Sequence, residues 1–171
     1  MPDAVVLTAS AGTLPGLVDA LRAIPVVVEE RPLMTFAPPG DWGPMDRALD
    51  ALSRFEVIAL TSPRAARAFA ERLESRGLAG ELTEQGARVW ASGAGTAVVL
   101  GGKLGPVLSP AQSVSGELGA AAALADALLA SGVRGPVLFP CGEVRREELP
   151  ARLRGAGVEV EEVVCYRSVL A

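Results

Sequence analysis

The stretch Phe55-Glu-Val-Ile-Ala-Leu-Thr-Ser-Pro63 joins a short apolar strand directly to the start of a helix. A run of apolar residues without polar alternation predicts a strand that is buried on both faces. Ser62 followed by Pro63 is typical of a helix start, with serine at the cap and proline at the first helical position. The stretch therefore predicts one strand–helix unit of a parallel sheet.

The same alternation continues along the chain. Further strands are predicted at 87–91, 106–109, 137–139 and 158–167, and helices at 45–52, 62–73, 92–100, 116–130 and 145–154. Pro150 fits the last of these helices only if that helix begins late, near Glu147, or kinks. Apolar strands that alternate with helices predict an α/β fold. We expect a doubly wound, parallel, five-stranded sheet with a flavodoxin-like strand order.

A second, smaller piece precedes this domain. Strands are predicted at 4–8 and 25–29, with a helix between them that Thr13 can cap. Residues 31–43 contain three prolines and two glycines, so we expect a linker there rather than an element. The amino terminus is therefore predicted to form an incomplete second α/β piece.

The composition excludes several classes of function. The formal net charge is −4 and the pI is near 5.0, which argues against nucleic acid as a partner. No apolar run reaches the length of a membrane span, so we expect a cytoplasmic protein without a membrane partner. The chain has no histidine, and its two cysteines do not form a disulfide framework or a metal site. Chemistry would fall to hydroxyls, carboxylates, arginines, the one tyrosine or backbone amides.

Four loops follow predicted strands and are rich in small or hydroxylated residues: 61–64, 92–96, 113–116 and 140–142. In a parallel sheet these loops meet at the carboxyl edge, where helix amino termini favour an anion. The expected ligand therefore carries several phosphates or carboxylates. Gly93 and Gly95 resemble half of a dinucleotide fingerprint, but the third glycine and the later acidic residue are not in place.

Each residue in these loops also has a plain structural interpretation. Ser62, Thr96 and Ser115 are typical helix caps. Arg64 and Arg146, placed one turn into their helices, are more often solvated than functional. Other candidates are Tyr166, which could close the edge of the core, and Cys141, which follows a buried strand and has no histidine to activate it.

Taken together, several phrases resemble the uroporphyrinogen-III synthase family over roughly 44–168. They are Leu60-Thr-Ser-Pro-Arg-Ala-Ala-Arg-Ala-Phe69, Gly93-Ala-Gly-Thr-Ala97 and Leu138-Phe-Pro-Cys-Gly-Glu-Val-Arg-Arg-Glu-Glu-Leu-Pro150, followed by Gly157-Val-Glu-Val160 and Tyr166. The resemblance implies two doubly wound domains, joined by a two-stranded connector, with the active site in the cleft between them. It implies that 1–30 starts a split first domain, 31–43 is a connector, 44–162 is a complete second domain and 163–171 is the returning connector. The remainder of the first domain would then be missing.

The resemblance also implies a reaction. Members cyclise hydroxymethylbilane to uroporphyrinogen III, with loss of water and inversion of the last pyrrole ring, and use neither metal nor cofactor. By position in the matched phrases, Tyr166 would assist departure of the hydroxyl. The substrate carboxylates would be held by Ser62, Arg64, Gly95, Thr96, Ser115 and Arg146. The alternative is a non-catalytic module that binds a small anion or a partner chain, and a chain naturally this short could form a homodimer.

Overall fold

The structure, a computed structural model, describes residues 3–10, 14, 16–84, 86–101, 104–110 and 117–171. The strands are β1 (Asp3–Leu7), β2 (Val26–Glu30), β3 (Met34–Ala37), β4 (Val57–Leu60), β5 (Arg88–Ala91), β6 (Val107–Leu108), β7 (Val137–Gly142) and β8 (Val160–Leu170). The helices are α1 (Leu17–Arg22), α2 (Gly43–Asp50), α3 (Pro63–Ser75), α4 (Ala79–Glu84), α5 (Ala94–Leu100), α6 (Glu117–Ala130) and α7 (Glu148–Gly155), with a 3₁₀ turn at Leu52–Arg54. The chain divides into two compact units, residues 1–37 with 167–171 and residues 38–166.

The larger unit, 38–166, is built on five parallel strands in the order β8-β7-β4-β5-β6. The α/β class and the five-stranded parallel sheet are therefore confirmed. The strand order differs from the flavodoxin-like order that we expected. With the strands of this unit numbered in chain order and read from β6 to β8, the order is 3-2-1-4-5 rather than the flavodoxin-like 2-1-3-4-5. The alternation of strands and helices predicts crossovers, but it does not say at which edge of the sheet each crossover ends.

Two separate apolar clusters cover the two faces of this sheet. One contains Phe69 of α3 together with residues of α2, α4 and α5, and the other contains Leu128 of α6 and residues of α7. Neighbouring strand residues divide between them: Ile58 belongs to the first cluster and Val57 to the second. This division follows from the two-residue repeat of a strand, and it shows that the sheet is doubly wound.

The helix starts follow their local sequence. The Ser62 Oγ accepts a hydrogen bond from the Ala65 amide at 3.1 Å, so Ser62 caps α3 as predicted. Helix α7 begins late, with Glu147 at its cap, which places Pro150 in the first turn where proline is tolerated. The late start leaves Arg146 in the loop before α7 rather than inside the helix, where the sequence predicts it. Helix α4 was not predicted.

The smaller unit contains a parallel pair, β1 and β2, with α1 between them in sequence. It also contains an antiparallel pair, in which Thr35 of β3 lies opposite Val169 of β8. The interpretation of 31–43 as a linker without an element is therefore wrong for β3, whose partner strand lies far along the chain and could not be read from local composition. None of the described residues of β1, β2 and α1 is buried. Thr13 lies outside the described residues.

Candidate functional site

A cleft of about 570 Å³ lies within the larger unit, at the carboxyl ends of β4 and β7. The chain leaves β4 toward β5 and β6 on one side and later crosses back to β7 on the other side. This is the topological switch point of the sheet, where the loops of adjacent strands separate and open doubly wound domains bind ligands. Three loops line the cleft, 61–63, 92–96 and 141–146.

The first wall of the cleft is the start of α3. Thr61 and Ser62 follow β4, and Ser62 caps the helix through its Oγ. The Ser92 hydroxyl donates a hydrogen bond to the Thr61 carbonyl oxygen at 3.1 Å, which ties this wall to the end of β5. Pro63 has no amide hydrogen and the Ala65 amide already donates to Ser62 Oγ, so this wall offers the Ser62 hydroxyl as a donor and the positive end of the α3 dipole. The wall is suited to a carboxylate or phosphate oxygen.

The second wall is the turn from β5 into α5. Gly93, Ala94 and Gly95 line the cleft with backbone, and these three residues carry no side chain larger than a methyl group. Thr96 also lines the cleft, and it is only 4% exposed. Its hydroxyl is therefore a fixed polar group in a small-residue surface, and it can donate to or accept from a bound group.

The third wall is the loop from β7 to α7, which two arginines occupy. Arg145 lines the cleft and forms an ion pair with Glu162 of β8, and Glu162 also pairs with Arg154 at 2.6 Å. Burial alone would raise the pKa of Glu162, but the hydrogen bonds from Arg145 and Arg154 hold it below the usual value. The ionised Glu162 therefore fixes the loop. Val144 lines the cleft although it is 82% exposed.

Tyr166 of β8 also lines the cleft, next to the loop from β7 to α7. A β-bulge shifts the register of β7 and β8, so that Cys141 lies opposite Val164 and Gly142 lies opposite Tyr166. The Glu143 amide donates a hydrogen bond to the Tyr166 carbonyl oxygen at 2.9 Å. Half-buried Arg64 of α3 lies near enough to interact with Tyr166. Burial lowers the pKa of the Arg64 guanidinium, and the interaction with Tyr166 partly offsets this.

The charged side chains that line the cleft are two arginines, one of which, Arg145, is paired with Glu162. Arg146 is the other, and none of the lining residues in the described part of the chain is acidic. The chain as a whole carries a net charge of −4. Cationic side chains and helix amino termini on a partly apolar surface fit a ligand that combines several carboxylates with apolar rings.

The two cysteines are poorly suited to act as nucleophiles. Both are buried and free, and Cys141 lines the base of the cleft. Burial raises the pKa of each thiol to about 12. Burial and the raised pKa support an inert Cys141, which stays a prediction. No group of three or more potential metal ligands occurs among the residues that the structure describes.

A family model described as uroporphyrinogen-III synthase HemD matches residues 16–171. The match covers the whole larger unit with every loop of the cleft, and the smaller unit from residue 16. The chain belongs to the uroporphyrinogen-III synthase family. The resemblance that the sequence phrases indicated is therefore confirmed.

Individual relatives agree. Uroporphyrinogen-III synthase of Synechococcus elongatus is 28% identical over 171 residues, which cover 96% of this chain and 60% of the relative. The chain thus spans about three fifths of the length of this curated relative. The structure of a mutant uroporphyrinogen III synthase from Thermus thermophilus matches with a TM-score of 0.67 at 18% identity, over 99% of this chain and 64% of that one. Uroporphyrinogen-III synthetase from Helicobacter pylori matches with a TM-score of 0.61 at 17% identity, over 100% and 63%. At these identities the structures support the fold alone.

Most of the site residues proposed from the sequence line the one cleft: Ser62, Gly95, Thr96, Arg146 and Tyr166. Arg64 is not among the lining residues but lies beside Tyr166. Ser115 lies outside the described residues. The sequence reasoning missed Val144 and Arg145 as parts of the site, and it placed Gly142 in a ligand-binding loop without assigning it a role. Nothing in the local sequence indicates that Gly142 faces a tyrosine much later in the chain.

No helix in the described part of the chain is long and apolar enough to cross a membrane.

Proposed function

We propose that this chain acts as a uroporphyrinogen-III synthase, cyclising hydroxymethylbilane to uroporphyrinogen III. The observation that carries the proposal is the cleft at the switch point. It joins a capped helix start, a backbone-lined turn, two arginines and the chain's one tyrosine, in a chain that belongs to this family. A linear tetrapyrrole that bears several carboxylates matches the positive and partly apolar character of these walls.

The main task of the site is to fold a flexible substrate. The Ser62 and Thr96 hydroxyls, the positive end of the α3 dipole and the backbone of the 93–95 turn hold carboxylates of the substrate. Arg146 adds positive charge at the mouth, and Arg64 does so beside the tyrosine. Ring closure is already intramolecular, so the site accelerates it by holding the two ends of the flexible substrate in a near-attack geometry. The contribution is shared, so no single carboxylate contact is indispensable.

Tyr166 acts on the leaving group. Its hydroxyl donates a hydrogen bond to the terminal hydroxyl of the substrate and passes its proton to that oxygen as the C–O bond breaks. Water departs, a cationic azafulvene forms, and Tyr166 is left as a phenolate until the proton released in the last step restores it. The substituted carbon of the last ring attacks this cation and forms a spiro intermediate. That intermediate reopens and closes again with the last ring inverted, and a proton is lost as that pyrrole ring becomes aromatic again. A neutral donor suits this step, because it does not repel the developing cation.

The test is a coupled assay that supplies hydroxymethylbilane to the purified chain and separates the oxidised porphyrin isomers. We expect isomer III above the isomer I that forms spontaneously. Tyr166→Phe keeps the ring and removes the hydroxyl that assists the leaving group, so it should lower turnover by about tenfold or more. Both tryptophans lie in the larger unit, so their fluorescence serves as the control that the variant is folded. Undiminished turnover in the variant would exclude the proposed role of Tyr166.

Formation of isomer I alone by the folded chain would refute the synthase and favour the second candidate, a non-catalytic module. The same positive cleft supports that candidate, because it would bind a small polycarboxylate without converting it. The split-domain assignment of 1–30, 31–43, 44–162 and 163–171 stays a prediction, as do a cytoplasmic location and a homodimer. Light scattering of the purified chain would decide the last of these.

A further inference from the structure

Gly142 lies directly beneath the ring of Tyr166. A Cβ atom at position 142 would lie 2.7 Å from Tyr166 Cζ, 2.8 Å from the hydroxyl oxygen and 3.0 Å from Cε2. Carbon atoms that are not bonded normally approach to about 3.5–4.0 Å. The phenol end of the ring therefore occupies the space that any side chain at position 142 would need.

The need for glycine here is one of space and not of backbone conformation. The glycines with positive φ in the described chain are other residues, and Gly142 is not among them. Alanine could therefore adopt the backbone angles of position 142 without strain. The atoms that an alanine would meet belong to the far end of the tyrosine side chain, and Tyr166 is only half-buried. A methyl group at position 142 would therefore displace the Tyr166 ring rather than unfold the strand.

The bulge explains why the two residues meet. Cys165 and Tyr166 are neighbours in sequence, yet both pack against the cluster on the α3 side of the sheet, where simple alternation would put them on opposite faces. The register shift between Cys141 and Gly142 re-aims Tyr166 in this way. A residue with a side chain at the end of β7 would cancel the effect of the bulge.

We propose that Gly142 is a positioning residue, which seats the Tyr166 phenol at the base of the cleft by leaving its own side-chain space to the ring. The inference rests on the proposed function for the role of the Tyr166 hydroxyl, but the placement itself is a separate claim. A methyl group at position 142 would push the phenol away by about 1 Å, the difference between 2.7 Å and an ordinary carbon contact. A misplacement of that size costs up to about 10²-fold in rate.

The experiment compares Gly142→Ala with Gly155→Ala, a matched control at the end of α7. A Cβ at position 155 would meet nothing within 4 Å, and Gly155 does not line the cleft. The chain has one tyrosine, so labelling with 3-fluorotyrosine gives a fluorine signal from Tyr166 alone. We expect this signal to move in Gly142→Ala and to stay in place in Gly155→Ala. In the isomer assay, kcat should fall by about tenfold to 10²-fold in Gly142→Ala, with KM little changed because the carboxylate contacts remain.

A double-mutant cycle separates positioning from a merely structural effect. In a Tyr166→Phe background, Gly142→Ala should change kcat by less than about twofold, because the hydroxyl it displaces is already absent. An equal loss in both backgrounds would overturn the proposal, and so would an unmoved fluorine signal. If Gly142→Ala fails to fold, adding Tyr166→Ala should restore folding, because the ring is gone; failure of that double variant too would overturn the proposal. Isomer I alone from the unaltered chain would refute the proposed function, while the fluorine signal would still decide where Gly142 places the ring.

Discussion

Replacing Glu56 by alanine should destabilise the larger unit without altering the cleft. Glu56 stands one residue before β4, at the opposite end of that strand from the cleft. Its Oε2 accepts hydrogen bonds from the amides of Arg134 (3.0 Å) and Gly135 (2.5 Å), and its Oε1 lies 2.5 Å from Arg88 Nη2. One carboxylate thus joins the start of β4 to β5 and to the turn that precedes β7.

The size of the effect follows from these contacts. A hydrogen bond to a charged group contributes about 1.5–3 kcal/mol, and partial exposure to water reduces this. The Glu56 side chain is 33% exposed, so we assign about 1 kcal/mol to each backbone bond. Glu56→Ala should therefore lower the free energy of unfolding by about 2 kcal/mol. Glu56→Gln keeps an oxygen that can accept both amides and loses the charge, so it should cost about 1 kcal/mol.

The dependence on pH distinguishes the charge from the shape of the side chain. The hydrogen bonds from Gly135 and Arg134, followed by that from Arg88, hold the pKa of Glu56 below its usual value of 4.5. A carboxylate with a lowered pKa stabilises the folded state above the pKa of the unfolded chain, and this stabilisation is lost as the pH falls through the folded pKa. The difference in stability between the unaltered chain and Glu56→Gln should therefore be constant above about pH 5 and shrink below pH 4.5.

The assay is urea unfolding followed by tryptophan fluorescence, at pH 7 and at several values below pH 5. Asp126→Asn is the control, because Asp126 pairs with Arg152 at the surface, where both side chains are more than half exposed. It should change the stability by less than about 0.5 kcal/mol. The reasoning would be refuted if Glu56→Ala were no more destabilising than Asp126→Asn, or if the gap to Glu56→Gln widened as the pH fell.

Two further predictions concern the ion pair between Arg72 and Asp46 and the two buried cysteines. Arg72 binds Asp46 through two nitrogens, at 2.8 and 2.6 Å, and its guanidinium carbon lies 4.8 Å from the centroid of the Trp42 ring. Arg72→Lys should therefore lower the free energy of unfolding by about 1 kcal/mol and change the fluorescence emission of Trp42. Equal urea midpoints for the variant and the unaltered chain would contradict this. Cys141 and Cys165, whose thiol pKa burial raises to about 12, should resist a thiol reagent at pH 8 in the folded chain and react fully in urea. Rapid labelling without denaturant would show that these thiols are not buried.

Local sequence was sufficient for the elements whose signals lie close together. Ser62 and Pro63 predict the start of α3, and the pattern from residue 55 to residue 60 predicts β4. The position of Pro150 predicts that α7 either begins late or kinks, and the structure has the late start. The strand β3 was not predictable in this way, because it is stabilised by pairing with the far end of the chain. The strand order was not predictable either, because both orders satisfy the same alternation of strands and helices.

By itself, the sequence determined the class of fold, the family and most members of the cleft, because capped helix starts after buried strands must meet at the carboxyl edge of a parallel sheet. Tertiary structure alone decided which of those loops face one another at the switch point between β4 and β7. It also decided that Gly142 lies under the Tyr166 ring and that Glu162 holds Arg145 in place. These contacts depend on the register of two strands and on one bulge, and register is set by packing over the whole sheet rather than by neighbouring residues.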